Sequence, residues 1–169
     1  MSGLTAWHGC YLSSDPAAVA MNVTEKTLNR HFGRIWPRHN DAFCELLVAL
    51  RRQFDGDLDR MLVLAVIGSR TLARGRIEGM SYTDFMALER PDDEPAPINL
   101  QSIADYSGIP RETVRRKLRD LEQLGWIVRR DNGYLVATTR AAKDLAPATE
   151  ATLSYLAAII AACNEAISD

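Results

Sequence analysis

Three glycines and a proline punctuate residues 98–140 so closely that few folds remain open to them. Asn99 is placed to cap a short helix carrying Ile103 and Ala104, which ends at Ser107-Gly108, where glycine supplies the left-handed turn. Pro110 suits the first turn of the next helix, whose Val114, Leu118, Leu121 and Leu124 recur at i, i+4, i+7 and i+10 until Gly125 stops it. Trp126-Ile127-Val128 and Tyr134-Leu135-Val136 are then two β-prone runs joined across Asn132-Gly133, the strongest short hairpin signal. Helix, tight turn, helix and two-stranded hairpin succeed one another within a few dozen residues.

Charge sets this segment apart. The whole chain has a formal charge of -2, but residues 97–140 hold 8 basic and 5 acidic side chains, whereas residues 141–169 hold 1 and 4. At about 100° per residue, Val114, Leu118 and Leu121 cluster on one side of the second helix, with Glu112, Arg116, Arg119 and Gln123 opposite. Thr113 and Arg115 lie on the flanks, and Lys117 projects nearer the core, where its stem can snorkel. One face packs while the other presents guanidinium groups near the helix start, which suits base-edge contact in a major groove. Arg129 and Arg130 at the hairpin mouth suit phosphate or minor-groove contact.

This order defines a winged helix-turn-helix. The segment 98–140 resembles the DNA-binding module of bacterial winged-helix regulators of the MarR and GntR kind, through Ile103, Ala104, Gly108, Thr113, Val114, Arg116, Leu121, Leu124, Gly125 and the wing from Arg129 to Tyr134. The resemblance implies duplex DNA as partner, with Arg111, Glu112, Thr113, Arg115, Arg116, Arg119, Arg129 and Arg130 as the contact residues. Residues 17–32 resemble the recognition segment of TetR- or AraC-type regulators through Ala18, Val23, Thr24, Leu28 and Phe32, with Asn22 where glycine is usual. Little apolar sequence upstream can form a supporting helix, and Gly33 and Pro37 cut the pattern short on its C-terminal side, so a helical arm is the expectation there.

The flanks read as helical. Asn40 or Asp41 is placed to cap a helix with Phe43, Leu46, Leu47, Leu50 and Phe54 on one face, ended by Asp55-Gly56-Asp57. A helix over about 58–73 has a nearly all-round apolar middle, Met61–Ile67, and another over 148–167 carries Leu153, Leu156, Ile160, Cys163 and Ile167 along one side. The centre of the first is expected to be buried within the fold or a dimer, and the surplus apolar surface of both is the reason to expect a homodimer. Ser81 with Asp84 forms a capping-box pattern for a helix through Leu88, and Arg90 to Pro97 reads as a linker. The expected architecture is mainly α: an N-terminal helical region at 1–96, the winged helix at 97–140 and a C-terminal helix at 141–169.

Other functions find little support in the residues. Met61–Ile67 is too short to span a bilayer, and residues 1–11 lack the basic start of a secretory signal. Cys10, Cys44 and Cys163 are odd in number and scattered, so reduced thiols and a cytoplasmic setting are expected. His8, Cys10, His31 and His39 lack metal-ligand spacing, and there is no P-loop, GxSxG or dinucleotide fingerprint, so neither metal, cofactor nor catalysis is expected. Gly68-Ser69-Arg70 is expected to mark helix packing and Arg74-Gly75-Arg76 a helix end. Trp7, Trp36, Phe43 and Phe54 are candidates to line a small-molecule effector pocket. The competing reading is a winged helix that binds protein through its basic face.

Overall fold

A computed structural model describes residues 23–72, 79–87 and 98–168. Helix α1 (Glu25–Arg30) starts from a reciprocal box: Thr24 accepts from the Thr27 N–H and the Thr27 side chain accepts from the Thr24 N–H. None of its residues is buried. Residues 17–22 of the TetR- or AraC-like segment lie outside the described residues.

Helix α2 (Phe32–Gln53) runs unbroken through Gly33, Pro37 and Asn40-Asp41, so neither the truncation nor the cap expected there exists. Pro37 removes one backbone donor. A ring stack bridges the site: Phe32 on Trp36 at 5.0 Å, Trp36 on His39 at 5.0 Å and His39 on Phe43 at 5.4 Å. Rings three and four residues apart lie on one helix face and tie successive turns together.

Helix α3 (Leu58–Thr71) is capped by Asp57, which accepts from the Arg60 N–H at 2.9 Å. Its Val63, Leu64, Val66 and Ile67 are buried. Helix α4 (Tyr82–Ala87) starts at the expected Ser81–Asp84 box. Leu88, the Arg74-Gly75-Arg76 group and the linker at 90–97 fall outside the described residues.

The winged helix comprises α5 (Leu100–Ser107), α6 (Arg111–Gln123), β1 (Ile127–Arg129) and β2 (Leu135–Ala137). The strands are antiparallel, pairing Ile127 with Ala137 and Arg129 with Leu135, and each begins one residue after the start of its β-prone run. Arg130 donates to the Tyr134 carbonyl and Gly133 to the Arg130 carbonyl, each at 2.8 Å, so the loop spans Asp131-Asn132-Gly133. Gly133 takes the left-handed position (φ 81°) of a three-residue hairpin, rather than sharing a two-residue turn with Asn132. On the outer edge of β2, Leu135 donates to the Ile98 carbonyl at 3.0 Å.

One continuous core joins Val63 and Ile67 of α3 to Ile103, Val114, Leu118, Leu121, Ile127 and Leu135. Thus the centre of α3 is buried within the fold, one of the two places expected for it, while Leu58 and Leu62 stay exposed. An all-round apolar pattern shows that a helix is covered, not what covers it.

Helix α7 (Thr139–Asp144) begins at Thr138, whose hydroxyl accepts from the Ala141 N–H and donates to the Gly125 carbonyl at 2.7 Å. Helix α8 (Ala146–Ser168) returns antiparallel along α2. Ile35 meets Cys163 and Ala166 near one end, and Gln53 bonds the Asp144 carbonyl at the other. Among the described residues, α8 is the helix long and apolar enough to cross a membrane by length and composition, a property absent from Met61–Ile67. Its small residues Ala148, Ala162 and Ala166 are buried, whereas Leu153, Leu156 and Ile160 are exposed. Overall the described chain is a mainly α winged helix-turn-helix carried on a long antiparallel helix pair.

Candidate nucleic-acid interface

The angle between α5 and α6 is fixed by short local bonds. Asn99 accepts from the Ser102 N–H at 3.0 Å, and Gly108 (φ 71°) donates to the Ala104 carbonyl at 3.0 Å. Ser107 donates to the Ile103 carbonyl at 2.7 Å while accepting from the Ile109 N–H. Pro110 sits just before the first turn of α6 as its N-cap, without a side-chain hydrogen bond, so the amides of that turn have no capping oxygen.

Lys117 is buried, and its ammonium donates to the Asp57 carboxylate at 2.5 Å. This is more than snorkelling: the carboxylate that caps α3 also holds the middle of α6. Burial pushes the Asp57 carboxyl upward, but the Lys117 and Arg60 hydrogen bonds and both nearby positive charges outweigh it and hold the group below its ordinary value.

Opposite the core, Glu112, Arg116 and Arg119 are exposed, as the helical wheel requires; Arg115 on the flank and Arg111 at the helix start are exposed too, and Thr113 is half-buried. Their electrostatic states differ. Arg115 is paired with Glu112 at 2.8 Å. Arg111, Arg116 and Arg119 make no ion pair or side-chain hydrogen bond among the described residues. On the wing, Arg129 is tied to Glu122 of α6 at 3.2 Å, whereas Arg130 is exposed and unpaired among the described residues. The Arg129 pair links the wing to the end of α6 and leaves Arg130 as the open cation at the hairpin tip. Arg140 belongs to the scaffold, lying over Gly125 and bonding Asp144, which also accepts from the Trp126 indole at 2.9 Å.

Tyr106 was not singled out in the sequence. It lies in the last turn of α5, 74% exposed, beside the turn into α6. The available signal was an aromatic off the apolar stripe of an otherwise well-packed helix.

Of the aromatics proposed as a pocket, Phe54 does not lie with Trp36 and Phe43. Trp36 and Phe43 are exposed on α2, while Phe54 is buried in the main core against Trp126, with centroids 5.7 Å apart. Trp7 lies outside the described residues.

A left-handed glycine turn between two helices, a basic outer face on the second and a hairpin immediately behind it define the class of helix-turn-helix modules that bind DNA. Residues 83–142 match the family model of the Crp-like helix-turn-helix domain, a bacterial DNA-binding module of transcription regulators. The match does not support the MarR or GntR likeness. The motif residues quoted for that likeness mark the module rather than one family, and the matched region extends back to Thr83 in α4. No curated protein and no solved structure matches the chain.

Proposed function

We propose that this chain is a homodimeric bacterial transcriptional regulator that binds duplex DNA sequence-specifically, with α6 in the major groove and the wing on the backbone or minor groove. The observation that carries this reading is the pair of unpaired guanidinium groups, Arg116 and Arg119, on the open face of a helix whose opposite face is locked into the core, with Arg111 exposed and unpaired at its first residue. Arg116 and Arg119 reach guanine edges, and the uncapped first turn of α6 suits a phosphate. Arg130 contacts the backbone from the wing. The protein acts in the cytoplasm, by binding and without a catalytic step.

The dimer is supported by α2 and α8. Trp36, Phe43 and Leu47 point to the same side of the pair as Leu153, Leu156 and Ile160, and all six are exposed. Together with Phe32 they leave roughly 600 Å² of apolar surface, on a scale of about 150–250 Å² per large side chain. A standard interface buries about 800 Å² per partner, which this strip and its rim can supply. Two such pairs facing across a two-fold axis form a four-helix interface and present two recognition helices to a near-palindromic site.

Fluorescence anisotropy with mixed-sequence duplexes across a salt series, alongside sedimentation analysis, tests both parts. Binding that weakens linearly in log–log form, by a dimer, is the expected outcome. A folded dimer that ignores duplex DNA at about 0.15 M salt would instead favour protein recognition by the same face, a reading consistent with the Glu112 and Glu122 carboxylates that already neutralise two of its arginines.

A further inference from the structure

A cavity of about 290 Å³ opens between α3, α4, the end of β2 and α7, apart from the arginine face. Leu64, Leu72, Phe85, Met86, Ala142 and Leu145 are among its lining residues. Three threonine hydroxyls reach the wall, and each is already engaged. Thr71 donates to the Ile67 carbonyl and accepts from the Ala137 N–H at 2.9 Å. Thr138 joins the Gly125 carbonyl to the Ala141 N–H, and Thr149 donates to the Leu145 carbonyl. Thr139, exposed at the rim, keeps a hydroxyl with no partner among the described residues. The cavity therefore offers an apolar interior with one polar group at its mouth, the composition of a small-molecule site.

Gly68 supplies an independent observation. It lies inside α3, where glycine is markedly less favourable than alanine. Close approach of another backbone is a common reason for such a residue. Here a Cβ at Gly68 would meet nothing within 4 Å. The missing side chain leaves a bare patch of cavity wall instead.

We propose that this cavity binds a compact, predominantly apolar small molecule carrying at most one polar group, seated at Thr139. A cavity of about 150 Å³ holds benzene, so this one suits about ten to twelve non-hydrogen atoms. The ligand would rest against Ala137 and Thr138, where β2 ends and where Thr138 holds the Gly125 turn behind α6. Its occupancy thereby bears on the placement of the wing, a consequence that rests on the DNA-binding reading, whereas binding itself does not.

The test uses the full chain without DNA and naphthalene as probe. Saturable shifts of the Leu64, Leu72 and Leu145 methyl resonances are expected, with Tm raised by roughly 3–6 °C at ten times Kd. Gly68→Leu should fold with an unliganded Tm at or above that of the wild type, and lose the response. Ala142→Leu, which fills the wall from α7, provides the same block should Gly68→Leu fail to fold. A wild-type protein without saturable shifts, or a folded blocking variant that binds naphthalene unchanged, overturns the proposal. Failure of DNA binding alone leaves the methyl-shift result intact, so the two readings fail separately.

Discussion

Replacing Asp57 by Asn removes one charge beside the middle of α6 while retaining an oxygen for the Arg60 N–H, so the α3 cap survives. What is lost is the carboxylate 2.5 Å from the Lys117 ammonium. The Lys117 side chain is 11% exposed and that of Asp57 24%. Breaking one side of a fully buried pair costs about 3–5 kcal/mol and an exposed pair is worth about 0–1, which places this one between, at about 1–3 kcal/mol. For a chain of this size that is a Tm loss of roughly 3–9 °C. Lys117→Met should cost less, since the aliphatic stem stays packed and Asp57 keeps its Arg60 partner. The double variant should then lose about 1–2 kcal/mol less than the two single losses together. Urea unfolding at pH 7, with m-values compared, measures all three. Additivity within about 0.5 kcal/mol would refute the coupling. An acid series adds a sign test. The Asp57 carboxyl is held low in the folded state, so its contribution is present above the unfolded pKa and fades as pH falls through the lower folded value. Asp57→Asn should therefore flatten the loss of stability below about pH 4; an unchanged acid limb would contradict the assignment.

Arg116→Ala and Arg119→Ala should each weaken specific binding by about 1–3 kcal/mol and relax preference at one base pair, read from anisotropy on point-substituted duplexes. Arg130→Ala should weaken all duplexes similarly and reduce the salt slope by about one unit. Leu156→Glu with Ile160→Glu should leave the circular-dichroism spectrum unchanged and shift sedimentation from dimer to monomer, because both side chains are exposed in the single chain. Leu118→Ala, at a site 1% exposed, should cost about 2–5 kcal/mol in urea unfolding.

The winged helix was legible because each boundary had a local cause. Gly108, Gly125 and Gly133 all adopt positive φ where a turn needs it, and Val114, Leu118 and Leu121 needed only a helical period to be placed inward. Two features of this module lay beyond the local signals. The hairpin loop holds three residues, a number that Asn132-Gly133 alone does not specify. Lys117 could be turned toward the core, but its partner Asp57 is remote in sequence, and no local pattern brings the two together.

Outside the module, local signals misled. Asn40-Asp41 has the chemistry of a cap, yet the ring stack from Phe32 to Phe43 favours continuing the helix across it. Phe54 parts from Trp36 and Phe43, which share the ring stack on α2, because it lies at the C-cap of that helix, where the chain enters the main core. The unpaired state of Arg111, Arg116 and Arg119, against the paired state of Arg115 and Arg129, needed coordinates.

The most direct test of the central claim is selection of bound duplexes from a random pool at about 0.15 M salt, with Arg116→Ala carried in parallel. The account predicts a near-palindromic motif for the wild type, with half-sites about one helical turn apart, whose information falls sharply in the variant. Absence of any enriched motif from the folded wild-type dimer, or a motif that Arg116→Ala leaves intact, would contradict it.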